Sequence, residues 1–415
     1  MGEPSTSAIL LVNPVRRSGT PFEPFKAAAR DLGFAVVSVY VLNGMVDIRA
    51  HEKDDDLSLY AVDHLDAVQQ IAASPAYDVR AVVPATETGV HLADMIAQEL
   101  GLPGNDSTLA WARRNKAAMR ARAVETGVRI PDFRLVPTTE QIPEAARTLG
   151  FPVIVKPTMG AGSQGVTVLS DADALPRVDD LVTRDLYDEP ITEWLVERYI
   201  RGREYAVNFY SADGEHRLVD IWEYRRPDDR DYDFPLWDII QIDERHPDWE
   251  RVDRFVRAAL DAYGIRRGPS HVEVKCNDDG AHLIEIAARL SGGPAVPMWA
   301  RHGVLRPFHD AVECYLGRRP AMFERPIRFP GVFGSVVVHN DIAPGRLLTV
   351  HGLEELDRLP GVDDILLGYR PGDHVPLTRD TTSIPFSASV HGPDEAAVLD
   401  TMAAIRSLVS LEIEP

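Results

Sequence analysis

Short apolar runs alternate with stretches of helical hydrophobic spacing through the first hundred residues. Residues 51–57, with Lys53 and three successive aspartates, interrupt this pattern and predict a solvated loop. Alternation of strand and helix predicts a parallel α/β sheet. The predicted strands are 8–12, 35–41 and 81–84, and the predicted helices are 25–32, 65–73 and 86–100.

The middle of the chain mixes strands and helices without that regular alternation. Ser107 or Thr108 is expected to cap a helix over 107–125, because hydroxyl groups accept hydrogen bonds from the first turn. Residues 225–247 are rich in Asp, Arg and Pro and predict a long loop, a feature that is usually functional. The other predicted elements are strands 133–136, 151–156, 166–169, 194–197, 205–210 and 217–223, and helices 139–149, 172–184, 249–263 and 304–316.

From Arg319 onward, short apolar pieces are separated by glycine and proline. This texture predicts a mostly β C-terminal region. Strands are expected at 331–338, 347–350, 365–369 and 386–390, and a helix at 394–408 is expected to end the fold.

The sequence HVEVKCNDDGAHLIEIAARLSGG, from His271 to Gly293, predicts a β-hairpin around an Asn-Asp-Asp-Gly turn. Alternation places Glu273 on one face of the first strand, and Glu285 opposes that strand. Two carboxylates among apolar residues repel each other unless a cation such as Mg²⁺ lies between them. Arg289 and the following glycine turn suit an anionic group. A solvent-facing hairpin with ordinary surface charges remains the alternative.

A glycine-rich segment, KPTMGAGSQGV, follows the strand that ends at Lys156. Gly162 and Gly165 allow close approach of backbone N–H groups to phosphates, and Ser163 adds a hydroxyl. The segment matches neither the Walker A loop nor the dinucleotide fingerprint, because the lysine precedes the glycines and a strand follows. Taken alone, it is also compatible with an ordinary hairpin.

The segment ERYIRGRE runs from Glu197 to Glu204, directly after a strand. An exposed backbone segment after a strand can pair with an adenine edge, and a carboxylate seven residues on can accept the two ribose hydroxyls. A charged β-turn is the simpler interpretation of this segment by itself.

Composition excludes several classes of function. The net charge of −20 argues against a general nucleic-acid or anionic-membrane surface. No run of 18 apolar residues is present, and two cysteines without metal-type spacing indicate a reduced, cytoplasmic protein. Only five of the 44 basic residues are lysines. A lysine is therefore a candidate for a site that needs its compact ammonium group.

These motifs occur in one order: a helical Lys116, Lys156 with its glycine loop, the ExYIxGxE segment, and the two carboxylates with Arg289. The set resembles the ATP-grasp superfamily, and most closely its carboxylate–amine ligases of the L-amino-acid ligase branch. The resemblance implies an ATP-grasp fold of four parts. These are an N-terminal parallel α/β (pre-ATP-grasp) domain (1–113), a small lobe (114–196) and a large lobe (197–318) that form the α+β ATP-binding region, and a β-rich C-terminal subdomain (319–415).

The resemblance also implies roles for single residues. ATP and Mg²⁺, with Mn²⁺ as a possible substitute, are the expected cofactors. Lys116 and Lys156 would contact the phosphates, and Arg289 would stabilise an acyl phosphate. The remaining implied contacts are Gly162, Ser163 and Gly165 to phosphate, the main chain from Glu197 to Ile200 to adenine, Glu204 to ribose, and Glu273 and Glu285 to the metal.

One position departs from the family pattern, since Ala287 stands where many members have a metal-binding Asn. His271 is a candidate for the substrate site, or a hydrogen-bonded structural histidine. Other candidate substrate contacts are Glu87, Tyr232, Trp237, Met298 and Trp299.

The implied reaction joins a carboxylic acid, such as an amino acid, to an amine through an acyl phosphate, giving ADP and phosphate. The alternatives are a ligase acting on bicarbonate or formate, a phosphotransferase, and a regulator that only binds nucleotide. Small-molecule substrates are the expected partners, with no nucleic acid or membrane and with a homodimer as an open possibility.

Overall fold

The computed structural model describes residues 5–15, 23–41, 52–185, 190–227 and 236–415. Tyr232, a candidate substrate contact, lies outside these residues. The strands are β1 (Thr6–Val12), β2 (Ala35–Tyr40), β3 (Leu57–Tyr60), β4 (Tyr77–Pro84), β5 (Phe133–Val136), β6 (Val153–Pro157), β7 (Thr167–Leu169), β8 (Trp194–Arg198), β9 (Arg203–Ala212), β10 (Glu215–Arg225), β11 (Asp238–Ile242), β12 (Gly268–Asn277), β13 (Gly280–Ala287), β14 (Val332–Val338), β15 (Gly345–His351), β16 (Val362–Leu367), β17 (His374–Val375), β18 (Phe386–Gly392) and β19 (Ser410–Glu414).

The α-helices lie between these strands. They are α1 (Glu23–Asp31), α2 (His64–Ala72), α3 (Val90–Glu99), α4 (Lys116–Thr126), α5 (Ile142–Leu149), α6 (Trp249–Ala262), α7 (Ala295–Arg301), α8 (Pro307–Tyr315), α9 (Leu353–Leu356) and α10 (Glu395–Leu408). None of the helices in the described ranges combines the length and the hydrophobicity needed to cross a membrane.

The N-terminal strands form a parallel sheet in the order β3-β2-β1-β4, which confirms the predicted parallel α/β arrangement. The prediction of a solvated loop at 51–57 is wrong at Asp55. Its carboxylate forms a 2.7 Å ion pair with Lys26, and both side chains are almost fully buried. Ser38, Tyr40 and Ser58 donate hydrogen bonds to the same carboxylate at 2.6 to 2.8 Å.

A second sheet of four antiparallel strands, in the order β5-β8-β6-β7, forms the small lobe with α5 packed against it. The helix predicted over 107–125 is divided. Two 3-10 turns, Ser107–Leu109 and Trp111–Arg113, precede α4, and the α-helix is capped by Asn115 rather than by Ser107 or Thr108. The helix predicted at 172–184 is a 3-10 helix over Ala172–Asp180, with Pro176 inside it. Proline is incompatible with regular α-helical hydrogen bonding at that point.

The largest sheet has eight antiparallel strands in the order β13-β12-β9-β10-β11-β14-β18-β16. It runs across residue 319, since β14, β18 and β16 extend the strands of the large lobe. The segment 225–247, which was predicted to be a long loop, contains the strand β11. The helix α10 was expected to end the fold, but the strand β19 follows it. The domain boundaries themselves stay a prediction.

One face of the large sheet is a hydrophobic core. Val207, Val272 and Val274 point from neighbouring strands towards α6, whose Val252 and Val256 are fully buried. Because side chains alternate along a strand, the residues between these valines face the opposite side. That opposite side carries the polar residues described below.

The Asp55–Lys26 ion pair gives a test of the N-terminal fold. Asp55→Asn should lower the free energy of unfolding by about 3 kcal/mol, because it removes the buried carboxylate charge that pairs with the Lys26 ammonium. Urea denaturation measures the change. Asp54→Asn is the matched control, since Asp54 is exposed and should change stability by less than about 0.5 kcal/mol. Equal stability of the two variants would contradict the assigned role of the pair.

Candidate active site

The polar face of the large sheet brings two predicted metal-binding carboxylates together. Glu273 on β12 lies directly opposite Glu285 on β13, as the sequence predicted. On the other side of β12, Lys275 lies opposite Glu204 on β9, and Glu204 in turn lies opposite Tyr224 on β10. Charged side chains from β13, β12 and β9 therefore share one surface with Tyr224 of β10.

A β-bulge sets the position of Glu285. The pairing changes from Glu273–Glu285 to Val274–Leu283, so Ile284 is the extra residue of β13. Bulges redirect side chains and leave backbone groups unpaired. Here the fully buried Arg120 donates a 2.9 Å hydrogen bond from Nη2 to the Ile284 carbonyl, so this carbonyl of the bulge has a partner.

Lys116 is the first residue of α4 and lies 3.4 Å from Glu285, measured from Nζ to Oε2. The helix begins at this point because the Asn115 side chain accepts a hydrogen bond from Ala118 N. Burial alone would raise the pKa of Glu285. The positive charges of Lys116, Lys156 and Arg289 outweigh burial and lower that pKa to about 2.

Lys156 and Glu197 form a buried ion pair in the small lobe, with Nζ 2.5 Å from Oε2. Arg120 contacts the other oxygen of the same carboxylate. Burial would raise the pKa of Glu197, but Arg120 and Lys156 lower it to about 2. Burial lowers the pKa of Lys156, and Glu197 partly offsets this. Glu197 thus holds two cations from two elements in fixed positions.

Glu204 is held by two cations as well. Lys275 lies 3.3 Å and Arg226 lies 3.1 Å from its carboxylate. The Lys275 ammonium also lies 4.3 Å from the centre of the Tyr199 ring. Glu204 and the strand-end segment that follows Glu197 are therefore connected through Lys275 and Tyr199.

Arg289 does not point away from the molecule but pairs with Glu87, a buried carboxylate of the N-terminal domain. Arg114 lies 3.7 Å from the same carboxylate and donates to the Gly160 carbonyl at 3.1 Å. Glu87, which the sequence suggested as a substrate contact, therefore joins the N-terminal domain to both Arg289 and the glycine-rich loop.

The glycine-rich loop has left-handed backbone conformations at Gly162, Ser163 and Gly165, with φ of 65°, 62° and 71°. Such values favour glycine, which explains the composition of this loop. Its Gly162 carbonyl accepts a 3.0 Å hydrogen bond from the backbone N–H of Thr381. The C-terminal region thus contacts the loop directly, an arrangement that no local sequence pattern indicated.

Behind the carboxylates, His271 belongs to a buried chain of hydrogen bonds. Its Nδ1 lies 2.9 Å from the Asn208 side-chain oxygen, and Asn208 donates to Asp220 at 2.8 Å. Trp299 donates to the other Asp220 oxygen at 2.7 Å. Burial raises the pKa of Asp220 to about 6. Trp299 is only 1% exposed, so its indole positions this chain from within the core.

Sequence reasoning missed Arg114 and Arg120, which organise the site from within. Both lie in the segment that the sequence assigned to a regular helix. The scarcity of lysine singled out Lys116 and Lys156, but arginine is so abundant here that composition gave no such signal. Ala287 is buried and lies opposite His271, and it supplies no side-chain oxygen to the site.

Comparison with known proteins agrees with this architecture. Residues 149–297 match the model of the ATP-grasp domain, and residues 342–414 match the L-amino acid ligase C-terminal domain 2. Dapdiamide A synthase of Enterobacter agglomerans is 27% identical over 345 residues, which cover 80% of each chain. The L-arginine-specific L-amino acid ligase of Bacillus subtilis is 24% identical over 71% of this chain and 70% of its own.

Among solved structures, an L-amino acid ligase from Bacillus licheniformis superposes with a TM-score of 0.77 over the whole of both chains, at 20% identity. This likeness confirms the predicted ATP-grasp fold. The chain therefore contains an ATP-grasp domain, as the order of its motifs predicted. Among ATP-grasp proteins it is similar to the L-amino acid ligases.

The Glu197 carboxylate gives a pH-dependent test of the small lobe. Its pKa falls from 4.5 to about 2 on folding, so the unfolded chain takes up the proton first as pH drops. The carboxylate therefore stabilises the fold fully above about pH 5, and this contribution is lost between about pH 4.5 and 2. Glu197→Gln should cost about 3 kcal/mol at pH 7 and progressively less below pH 4.5.

Urea denaturation of wild type and variant between pH 7 and 3 measures this difference. The exposed Glu354→Gln is the control, since that side chain has no place in the buried cluster. A difference between wild type and Glu197→Gln that stays constant down to pH 3 would refute the ionised, ion-paired state of Glu197.

Proposed function

We propose that this protein is an ATP-dependent carboxylate–amine ligase that forms a peptide-like amide bond, with an amino acid as the carboxylate donor or the amine, or as both. The observation that carries the proposal is the pair of opposed carboxylates Glu273 and Glu285, with Lys116 3.4 Å from Glu285 and with Lys156 and Arg289 close enough to lower the pKa of Glu285. Such a site suits transfer of a phosphoryl group from ATP to a carboxylate. The relatives support the same class, because the curated proteins reported above include an amino acid ligase and a synthase.

The small lobe and the large lobe each supply part of the proposed ATP site. Lys116 and Lys156 would contact the phosphates, and the loop with Gly162, Ser163 and Gly165 would close over them. The ion pairs of the two buried lysines and the left-handed conformations of the loop support these roles. The N–H groups of Arg198 and Tyr199 already donate to backbone carbonyls. Adenine must therefore use other backbone groups of the Glu197–Ile200 segment. Glu204, held by two cations, is placed for the ribose hydroxyls.

The residues on the sheet fit a magnesium ion. Glu273 and Glu285 offer hard oxygen donors on adjacent strands, and the low pKa of Glu285 keeps it ionised at neutral pH. Carboxylates of this kind, together with substrate phosphates, are the ligands that Mg²⁺ prefers. When bound, Mg²⁺ (or Mn²⁺) would neutralise phosphate charge and make the γ-phosphate a better electrophile.

In the proposed first step, the substrate carboxylate attacks the γ-phosphate of ATP and gives an acyl phosphate and ADP. This activation is needed because a carboxylate is a poor electrophile until it is phosphorylated. The protein contributes the positioning of the reactants and the neutralisation of charge. In the second step, an amine attacks the acyl carbon and phosphate leaves. Arg289 is placed to stabilise the negative charge that develops on the acyl oxygen, and the glycine-rich loop to exclude water.

The Arg289–Glu87 pair gives a role to the N-terminal domain. Arg289 contacts Glu87 through Nε and donates from Nη1 to the Leu290 carbonyl, so its remaining N–H groups would serve the acyl phosphate. Glu87 would hold Arg289 in place and offer its other oxygen to a substrate ammonium group. Such a contact favours an amino acid over bicarbonate or formate, which have no ammonium group.

The two cysteines support the proposed cytoplasmic location, because both are buried free thiols. A catalytic role is favoured over a regulatory one, because the chain retains Lys156, Glu273, Glu285 and Arg289, the residues proposed for the phosphates, the metal and the acyl phosphate.

A phosphate-release assay tests the proposed reaction. Pairs of the twenty L-amino acids are supplied with Mg-ATP, and hits are analysed by mass spectrometry. The ligase proposal predicts phosphate release that requires both partners, together with a dipeptide mass. ADP with a stable phosphorylated product would indicate a phosphotransferase instead. ATP binding without turnover on amino-acid pairs, bicarbonate or formate would favour a regulator.

Glu285→Ala should abolish ligase turnover, a loss of about a thousandfold or more, because the variant lacks one of the two proposed metal ligands. Steady-state kinetics measure the loss, and thermal unfolding checks that the variant is folded. Glu354→Ala, which removes an exposed carboxylate, should be fully active. Retained activity in folded Glu285→Ala would disprove the metal assignment.

Lys156→Ala should weaken ATP binding by about tenfold to a hundredfold, because a buried ammonium in the proposed phosphate site is lost. Isothermal titration calorimetry with a non-hydrolysable ATP analogue measures the affinity. Lys53→Ala is the control, since Lys53 is exposed on the N-terminal domain. An unchanged affinity in a folded Lys156→Ala protein would argue against the phosphate role.

A further inference from the structure

Away from the nucleotide site, two histidines and an aspartate converge at the junction of α7 with the end of the large sheet. His302 follows α7, Asp363 lies in β16 and His391 lies in β18. His302 Nε2 is 2.7 Å from Asp363 Oδ2, and His391 Nδ1 is 3.0 Å from Asp363 Oδ1. One ligand atom from each residue lies within 4.8 Å of the other two.

A β-bulge and a tight turn in the backbone determine where these groups lie. The pairing of β16 with β18 shifts between Val362 and Asp364, so Asp363 is the extra residue of a β-bulge. The turn before it is fixed by Gly361, whose carbonyl accepts from His391 N at 2.8 Å. Gly361 has φ of 80°, and a Cβ atom there would approach the His391 carbonyl oxygen to 2.1 Å. A larger residue is therefore excluded from this turn.

The contacts within the cluster are not all hydrogen bonds. His391 Nδ1 is buried and has no hydrogen-bond partner, although it lies 3.0 Å from a carboxylate oxygen. The two atoms are close, but their relative orientation does not fit an N–H···O hydrogen bond. The ring nitrogen is therefore without a hydrogen-bond partner. The two imidazole rings lie 4.5 Å apart, measured between centroids. Close imidazoles around one carboxylate form a set of donors that a cation can share.

We propose that His302, Asp363 and His391 bind a divalent transition-metal ion, with Zn²⁺ as the best fit. Two imidazoles and one carboxylate are the nitrogen and oxygen donors that suit Zn²⁺, whereas Mg²⁺ prefers oxygen alone. Donor atoms on one tetrahedral Zn²⁺ are about 3.3 Å apart, since each bond is about 2.0–2.1 Å long. The 2.7 Å contact must therefore open by about half an ångström, and donor atoms separated by up to 4.8 Å must move closer together as the ion binds.

The charge around the cluster is compatible with such an ion. Arg301 is the nearest cation in the described contacts, and it donates to the Asp363 carbonyl. Its other nitrogen lies 3.7 Å from Asp364, which offsets its charge. The side chain of Asp363 is 8% exposed and that of His391 is 40% exposed, so the ligands are partly ordered by burial and still reachable from solvent.

The site would connect the C-terminal region to the substrate side of the molecule. His302 ends α7, the helix that carries Trp299 and thereby holds the Asp220–Asn208–His271 chain. Asp363 and His391 belong to the region that matches the C-terminal ligase domain. A bound ion would fix α7 against that region, which is a structural role independent of the ligase reaction.

Metal binding to the full-length, tag-free protein tests the proposal. Chelator-treated protein is titrated with Zn²⁺ in saturating Mg²⁺ by calorimetry, and bound metal is counted by elemental analysis after desalting. The background carries Glu285→Gln, which weakens competing binding at the nucleotide site. We expect one equivalent of Zn²⁺, a higher melting temperature with the ion, and visible absorption bands of a low-symmetry site when Co²⁺ replaces it.

Three variants in the same background identify the ligands. His391→Ala and Asp363→Ala should each weaken Zn²⁺ binding by at least about a hundredfold, because a direct ligand counts for more than a supporting contact. His351→Ala is the matched control, since His351 pairs with Glu412 on an exposed surface and has no second histidine beside it.

Loss of the Zn²⁺ equivalent in His391→Ala and Asp363→Ala, but not in His351→Ala, would establish the site. No Zn²⁺ retained by the parent protein, or equal retention by all three variants, would overturn the proposal. If Asp363→Ala fails to fold, His391→Ala still decides the question, because His391 lies at the surface. None of these readouts depends on ligase activity.

Discussion

The buried carboxylate of Glu197 is the constraint on which the proposed nucleotide site depends. It holds Lys156 from β6 and Arg120 from α4, and Arg120 reaches on to the bulged Ile284 of the hairpin. Breaking a buried ion pair by removing one partner costs about 3–5 kcal/mol, because the remaining charge is left unpaired. One side chain thus fixes a strand of the small lobe, the first helix of that lobe and the hairpin with the proposed metal ligands relative to one another.

The large sheet explains how so many charges are held without loss of stability. Its apolar face packs on α6 and supplies burial, while its polar face is free to carry Glu204, Glu273 and Lys275. The alternation of side chains separates these two tasks within single strands. The polar face is closed by the N-terminal domain, from which Glu87 approaches Arg289. The proposed reaction site is therefore a junction between domains, where ligand sites are commonly found.

Local patterns were sufficient to predict the parts of this site that lie within one hairpin or one loop. The alternation around Glu273, the turn after Asn277 and the glycines after Lys156 are all properties of short segments, and the strands and register agree with them. The order of those segments then predicted the fold. The individual ligand roles rest on the resemblance of the motifs and stay predictions.

Contacts between distant segments could not be predicted in this way. Asp55 was assigned to a solvated loop because its neighbours are charged, yet its burial is decided by Lys26 and three hydroxyls from other elements. Arg120 and Thr381 act on segments far away in the chain, and nothing beside them in the sequence marks that role. The same holds for His302 and His391, whose proximity depends on the register of β16 and β18 and on where α7 ends.

The charges of the proposed nucleotide site show what such contacts add to a motif. Five of its cations share three carboxylates of the protein, so the surplus of two positive charges is smaller than the several negative charges of ATP. Since the whole chain also carries a net charge of −20, ATP should bind as its magnesium complex rather than as the free anion. On this argument the two opposed carboxylates, Glu273 and Glu285, are as much a part of nucleotide binding as the two lysines.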